Sequence, residues 1–136
     1  MYEIFPHTAD VGLRIKAPDL NTLFADAGRG FFSLIVSNLD QVVPRTRVEF
    51  HVEGNDLAYL LVDWLNELLF TFESRKLVFS KFAVTVRPDG LDAIAHGERV
   101  DDQHHILDHE IKAITHHGLR VEQIDGQWLA EVILDI

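Results

Sequence analysis

The sequence predicts an α+β fold: two helices packed on a mostly antiparallel β-sheet, as a two-layer single domain over residues 1–136. Three observations predict it. Two segments, starting near Leu20 and Leu57, place apolar residues at i, i+3, i+4 and i+7, the stripe of an amphipathic helix. Shorter segments alternate apolar and polar residues with period two, as half-buried strands do. Pro88-Asp89-Gly90 and Asp125-Gly126 stand between such segments and carry the chemistry of tight antiparallel turns. Strands gathered after two helices and joined by hairpins make α+β rather than α/β.

In chain order, Tyr2–Phe5 is a short strand that Pro6 ends. Val11, Leu13, Ile15 and Ala17 alternate with Gly12, Arg14 and Lys16, a strand with one wet face. Pro18 stops it, and Asp19 is placed to cap a helix carrying Leu20, Leu23, Phe24, Ala27, Phe31, Leu34 and Ile35. Gly28 and Gly30 each cost that helix about 1 kcal/mol relative to Ala, which close packing on a sheet would justify. Arg47–Glu53 alternates again. Gly54-Asn55-Asp56 then supplies a turn and a cap for the strongest helix, with Leu57, Leu60, Leu61, Trp64, Leu65, Leu68, Leu69 and Phe72 as its stripe. Tyr59, Val62 and Phe70 fall off that stripe. Leu77–Arg87 and Leu91–Gly97 form one hairpin, and Ile111–Ile124 with Trp128–Leu134 a second. Between them, Val100–His109 reads as a polar, irregular loop.

The formal charge is −10, with 12 Lys and Arg against 22 Asp and Glu. The excess is spread over both halves, so there is no basic arm to neutralise phosphates, and direct nucleic-acid binding is not expected. An acidic surface attracts cationic partners instead, metal ions or basic protein faces. The absence of Cys removes disulfides, thiolate zinc sites and cysteine nucleophiles. The opening MYEIFPHTAD lacks the apolar run of a signal peptide, and no stretch of about twenty residues is free of charge. A cytoplasmic protein without a membrane segment is expected.

Four groups of residues could carry chemistry. His7-Thr8-Ala9-Asp10 with Gly12 puts a carboxylate and an imidazole at a turn, although Thr8 and Asp10 could equally cap backbone N–H groups there. Leu134-Asp135-Ile136 ends an apolar strand with two anions, the Asp135 side chain and the α-carboxylate. They repel unless a cation or donors intervene, or the end is simply a capped strand. His104, His105, His109, His116 and His117 form a histidine-rich tract, in which His105 and His109 have a metal-chelating helical spacing but lie in a loop. Lys112 with a His of His116-His117 could be a functional pair or ordinary surface, and Asp63, Asn66 and Glu67 on the polar side of the second helix an acidic patch or simply its wet face. No phosphate-binding glycine loop and no nucleophile elbow is present.

Taken together, these motifs resemble the archease family. His7-Thr8-Ala9-Asp10-Val11-Gly12 is similar to that family's opening block, and Leu61-Val62-Asp63-Trp64-Leu65-Asn66-Glu67-Leu68-Leu69 to its central helix. Glu110-Ile111-Lys112-Ala113-Ile114-Thr115, with His117 after it, resembles a further block, and Val132-Ile133-Leu134-Asp135-Ile136 its terminus. The likeness runs end to end. His116 departs from it, standing where the family usually carries Tyr.

The resemblance implies an accessory protein, not an enzyme. Its partner would be an RtcB-type RNA ligase, which joins 2′,3′-cyclic-phosphate or 3′-phosphate ends to 5′-hydroxyl ends in tRNA splicing and RNA repair. It would promote guanylylation of that ligase and its multiple turnover. It further implies a metal held by Asp10, Asp135 and the terminal carboxylate of Ile136, with Lys112 important for activation and His7, His117 and Asp63 as accompanying partner residues. Oxygen anions without thiolates suit a hard cation, calcium first, magnesium or manganese otherwise. Two other classes fit the residues: a small metal-dependent hydrolase using Asp10, Asp135 and a His base, and a general chaperone or interaction module using the exposed surface of the second helix.

Overall fold

The computed structural model describes residues 1–7 and 9–136. In chain order the elements are β1 (Tyr2–His7), β2 (Asp10–Ala17), α1 (Leu20–Ile35), β3 (Thr46–Glu53), α2 (Leu57–Arg75), β4 (Leu77–Arg87), β5 (Gly90–Arg99), β6 (Ala113–Ile114), β7 (Arg120–Ile124) and β8 (Gln127–Asp135). The class is α+β, with every strand pairing antiparallel. The strands divide between two sheets. One has the order β1-β2-β8-β6, with β7 also pairing β8, and the other the order β3-β5-β4.

Both helices begin where capping chemistry puts them. The Asp19 carboxylate accepts from the Thr22 N–H at 2.7 Å, and Asp56 accepts from the N–H groups of Ala58 and Tyr59. α2 ends at Lys76, whose φ of 57° is left-handed and whose N–H returns to the Phe72 carbonyl. α1 lies close to the sheets because it carries glycine: a Cβ at Gly28 would come within 2.9 Å of the Phe82 ring, and one at Gly30 within 2.6 Å of Leu13. The helix accepts the lower propensity in return for that approach.

One continuous core joins the two sheets and both helices. At its centre Phe32, Phe50, Phe79, Phe82 and Trp64 meet largely edge to face, with centroids 5.4 to 6.3 Å apart. Burying a ring of that size fully contributes about 1.5–3 kcal/mol, and Phe82, half-buried, contributes less. The Trp64 indole N–H donates to the Phe24 carbonyl at 3.0 Å, tying α2 to α1.

Several elements differ from their sequence reading. β1 continues through Pro6 to His7, because β1 is an edge strand and a missing N–H there breaks no ladder bond. Asp10 lies within β2 rather than in the turn. Ile111–Ile124 is not one strand: Gly118, at φ 59°, separates the two-residue β6 from β7, and Lys112 precedes β6. Val62 is buried, unlike its off-stripe companions Tyr59 and Phe70. No helix among the described residues is long and apolar enough to cross a membrane.

Candidate functional site

The pairing registers bring one row of side chains together at the end of the larger sheet. His7 pairs with Asp10, Asp10 with Asp135, and Asp135 with Ala113. Directly opposite residues of an antiparallel pair share a face, with Cβ atoms about 4.5–5.5 Å apart. The two carboxylates therefore project side by side. His7 Nδ1 lies 3.7 Å from an Asp10 carboxylate oxygen, and the Lys112 N–H donates to the Asp135 carbonyl at 2.8 Å. Ile136 follows Asp135 directly, and its side chain packs against the core.

A second row, four pairs further along the β2–β8 register, shows how carboxylates on this face are otherwise handled. Glu131 faces Arg14 and Arg120 in the registers. Its carboxylate meets Arg14 Nε at 3.2 Å and is also bonded by Arg120, while Arg14 reaches Glu3 at 3.4 Å. Burial works to raise the Glu131 carboxyl, yet the two guanidinium groups hold it below the ordinary glutamate value. Between the rows, the Phe5 ring lies across Gly12, where a Cβ would come within 2.1 Å of it, and the Arg14 guanidinium sits 4.5 Å above that ring. Among the described residues, no Lys or Arg nitrogen lies within 4.0 Å of the Asp10 or Asp135 carboxylate. One row is neutralised by the protein's own cations. The other is left with a single imidazole.

The remaining candidates lie outside this row. The connection after β6 holds His116 and His117. His117 is exposed, its N–H bonded to Thr115 Oγ1, and Thr115 is itself bonded to Ile133. His117 is thereby displaced along β8 from Asp135. Asp63 is on the outer side of α2, facing solvent. The reading of Thr8 as a turn cap lies outside the described residues.

Glu98, His104 and His105 form a different group, with ligand atoms all within 4.8 Å of one another. One carboxylate and two imidazoles are a donor set that could hold a metal ion. As folded, however, their atoms are committed to each other. His105 Nδ1 accepts the Asp101 N–H at 2.9 Å, so the ring's proton sits on Nε2 and is directed at Glu98, 2.9 Å away. His104 Nε2 is 2.8 Å from the Gln41 carbonyl, an arrangement only a donor satisfies. Glu98 also takes the Val43 N–H at 2.7 Å and the Arg45 guanidinium at 3.3 Å. Burial works to raise the Glu98 carboxyl, but these donors hold it below its ordinary value. The group pins the 101–109 loop to the end of β5. The spacing of His105 and His109 does not create a chelate, because that stretch is no helix. Glu98 was not singled out in the sequence; a lone buried acid at a strand end gives no signal before the loop's path is known.

Fold and site together define a small acidic α+β protein that presents facing carboxylates at one end of a sheet. The model of the Archease protein family (MTH1598/TM1083) matches residues 2–136. The chain is 38% identical to the archease of Methanopyrus kandleri, with 99% of each chain covered, and 36% identical to that of Pyrococcus furiosus, with 99% and 98% covered. Its structure superposes on the solution structure of Methanobacterium thermoautotrophicum protein 1598 with a TM-score of 0.87, at 33% identity over 99% of this chain and 98% of that one. The chain belongs to the archease family. A crystal structure of a Thermotoga maritima archease, described as a possible chaperone, has the same fold at TM-score 0.68 and 19% identity, covering 100% and 98% of the two chains.

Proposed function

We propose that this chain is an accessory protein that activates an RtcB-type RNA ligase in the cytoplasm. It raises guanylylation and multiple turnover of the ligase by contact rather than catalysing a reaction of its own. The observation that carries the reading is the Asp10–Asp135 pair, two facing carboxylates with no guanidinium or ammonium nitrogen within 4.0 Å among the described residues. Membership of the archease family supports it, as does a net charge of −10, which suits a basic, RNA-binding partner better than RNA itself.

In this reading Asp10, Asp135 and the terminal carboxylate of Ile136 hold a divalent cation, with calcium the best fit to oxygen donors and magnesium or manganese acceptable. When bound, the ion supplies a positive charge able to meet a phosphate oxygen. Lys112, anchored through its backbone to Asp135, carries a flexible ammonium that lies more than 4.0 Å from both carboxylates and is free to meet the partner, and His7 borders Asp10. Asp63 and His117 would meet the partner away from the ion.

The test is a turnover assay with the cognate ligase, GTP and a divalent ion. Substoichiometric protein should raise both guanylylation and sealing. Asp10→Asn and Asp135→Asn should abolish the gain, and Lys112→Ala should weaken it with the fold intact. No stimulation of either step by the unaltered protein would overturn the reading.

A further inference from the structure

One side of α2 is buried in the core, while Tyr59, Asp63, Asn66, Phe70 and Glu73 are exposed on the other. At about 100° per residue these five fall in one narrow stripe, and a rise of about 1.5 Å per residue puts Tyr59 and Phe70 roughly 16 Å apart on the same side. Tyr59 is 59% and Phe70 67% exposed, and the core beneath closes without them. Asp63 and Glu73 lie in the stripe, with Glu67 at its border. Among the described residues none of these three has a cationic nitrogen within 4.0 Å. At its first turn the stripe meets the segment that leaves β6: the Tyr59 ring is 5.7 Å from that of His116, three residues beyond Ala113, the residue paired with Asp135.

We propose that this stripe is the docking surface for a protein face carrying Lys and Arg around two apolar pockets about 16 Å apart. The inference rests on the ligase-activator reading, with the ligase as the partner. Charge selects the occupant. A second copy laid stripe to stripe would set carboxylates against carboxylates, and anionic lipid or nucleic acid would be repelled in the same way. An RNA ligase needs a cationic surface to hold phosphates, so basic flanks adjoin its working site. The two aromatics then act as the buried anchors and the acids steer and orient the approach. Docked along α2, the partner would extend toward Lys112 and the carboxylate pair.

The experiment compares ligase binding and ligase stimulation for three proteins: the unaltered chain, the double variant Tyr59→Ser with Phe70→Ser, and Asp135→Asn. Both serines replace exposed side chains, and unchanged thermal melting verifies the fold. The double variant should bind the purified ligase with a Kd raised about tenfold or more, as loss of aromatic anchors does. It should stimulate normally once saturating. Asp135→Asn should show the opposite split, binding with unaltered Kd but failing to stimulate. An unchanged Kd for the double variant, alongside normal binding and stimulation by the unaltered chain, would overturn the docking surface alone. Absence of both binding and stimulation in the unaltered chain would overturn the docking surface together with the activator reading. Self-association of the unaltered chain that the double variant abolishes would assign the stripe to a second copy and overturn the proposal.

Discussion

Asp10 faces Asp135 across the last pair of the β2–β8 register, carboxylate beside carboxylate. Like charges placed directly opposite weaken an antiparallel pair. The same sheet shows the alternative at Glu131, which stands between Arg14 and Arg120. The end of the sheet is thus held together against a local repulsion, which a bound cation would relieve.

Neutralising one member should therefore stabilise the metal-free protein. Asp135→Asn is expected to gain about 0.5 kcal/mol in chelator, read as a higher melting temperature, and to lose the extra stabilisation that calcium gives the unaltered chain. Identical calcium-induced shifts in the two proteins would remove Asp135 as a ligand.

Extending the chain past Ile136 by one Gly would turn its terminal carboxylate into a neutral amide carbonyl. Calcium affinity follows ligand charge count and site rigidity. The extended protein should bind calcium more weakly and activate the ligase less, while an N-terminal tag is milder. Calorimetric titration of the two forms checks it, and equal affinities would remove the Ile136 carboxylate as a ligand.

Glu98 makes the 101–109 loop acid-sensitive. Its carboxyl is held below its ordinary value in the folded state, so its stabilising contribution is complete above the ordinary glutamate range and disappears as pH falls through the folded value. Amide protection at Val43 and Asp101, taken relative to the intrinsic exchange rate at each pH, should fall over that acid window, sooner than protection in the centre of α2. His105→Ala should remove the protection at Asp101 even at neutral pH, since it deletes the acceptor of that N–H. Equal protection in both proteins would mean that the loop is held by other bonds.

Gly97 sits opposite the irregularity between Phe79 and Lys81, and a Cβ there would come within 1.8 Å of the Val78 carbonyl oxygen. Backbone, unlike a side-chain tip, cannot swing aside. Gly97→Ala should cost on the order of 3 kcal/mol, the upper range for overpacking, measured by denaturant unfolding. Gly118→Ala meets no neighbour and pays only for its left-handed φ, so it should cost less.

Helix starts were legible because capping is local: Asp19 and Asp56 act within three residues of themselves. Spacing alone shows the acidic candidates only as separate residues; the family resemblance is what joins them. Asp10 and Asp135 are separated by almost the whole chain, and no periodicity in either strand states which strand it will lie beside. The hairpin at Asp125-Gly126 forms as β7–β8, but its first strand is shorter than Ile111–Ile124 for a related reason. Apolar residues suit a strand, but the turn at Gly118 and the bonds of Thr115 to Ile133 decide where pairing stops. Glu98 needed the loop's full course, since its partners come from Val43, Arg45 and His105.

The central place of β8 has a consequence for biosynthesis. β2 pairs β1 on one edge and β8 on the other, so at ribosomal rates of about 5–20 residues per second its second edge stays unpaired for on the order of ten seconds. Arg14 and Lys16 lie along that open edge and discourage nascent chains from pairing with each other. When β8 arrives, the larger sheet closes and Asp135 is delivered to Asp10 in the same event. A polypeptide interrupted before Gln127 would thus lack both its sheet centre and half of its carboxylate pair, leaving no folded but ion-deficient form to compete for the partner.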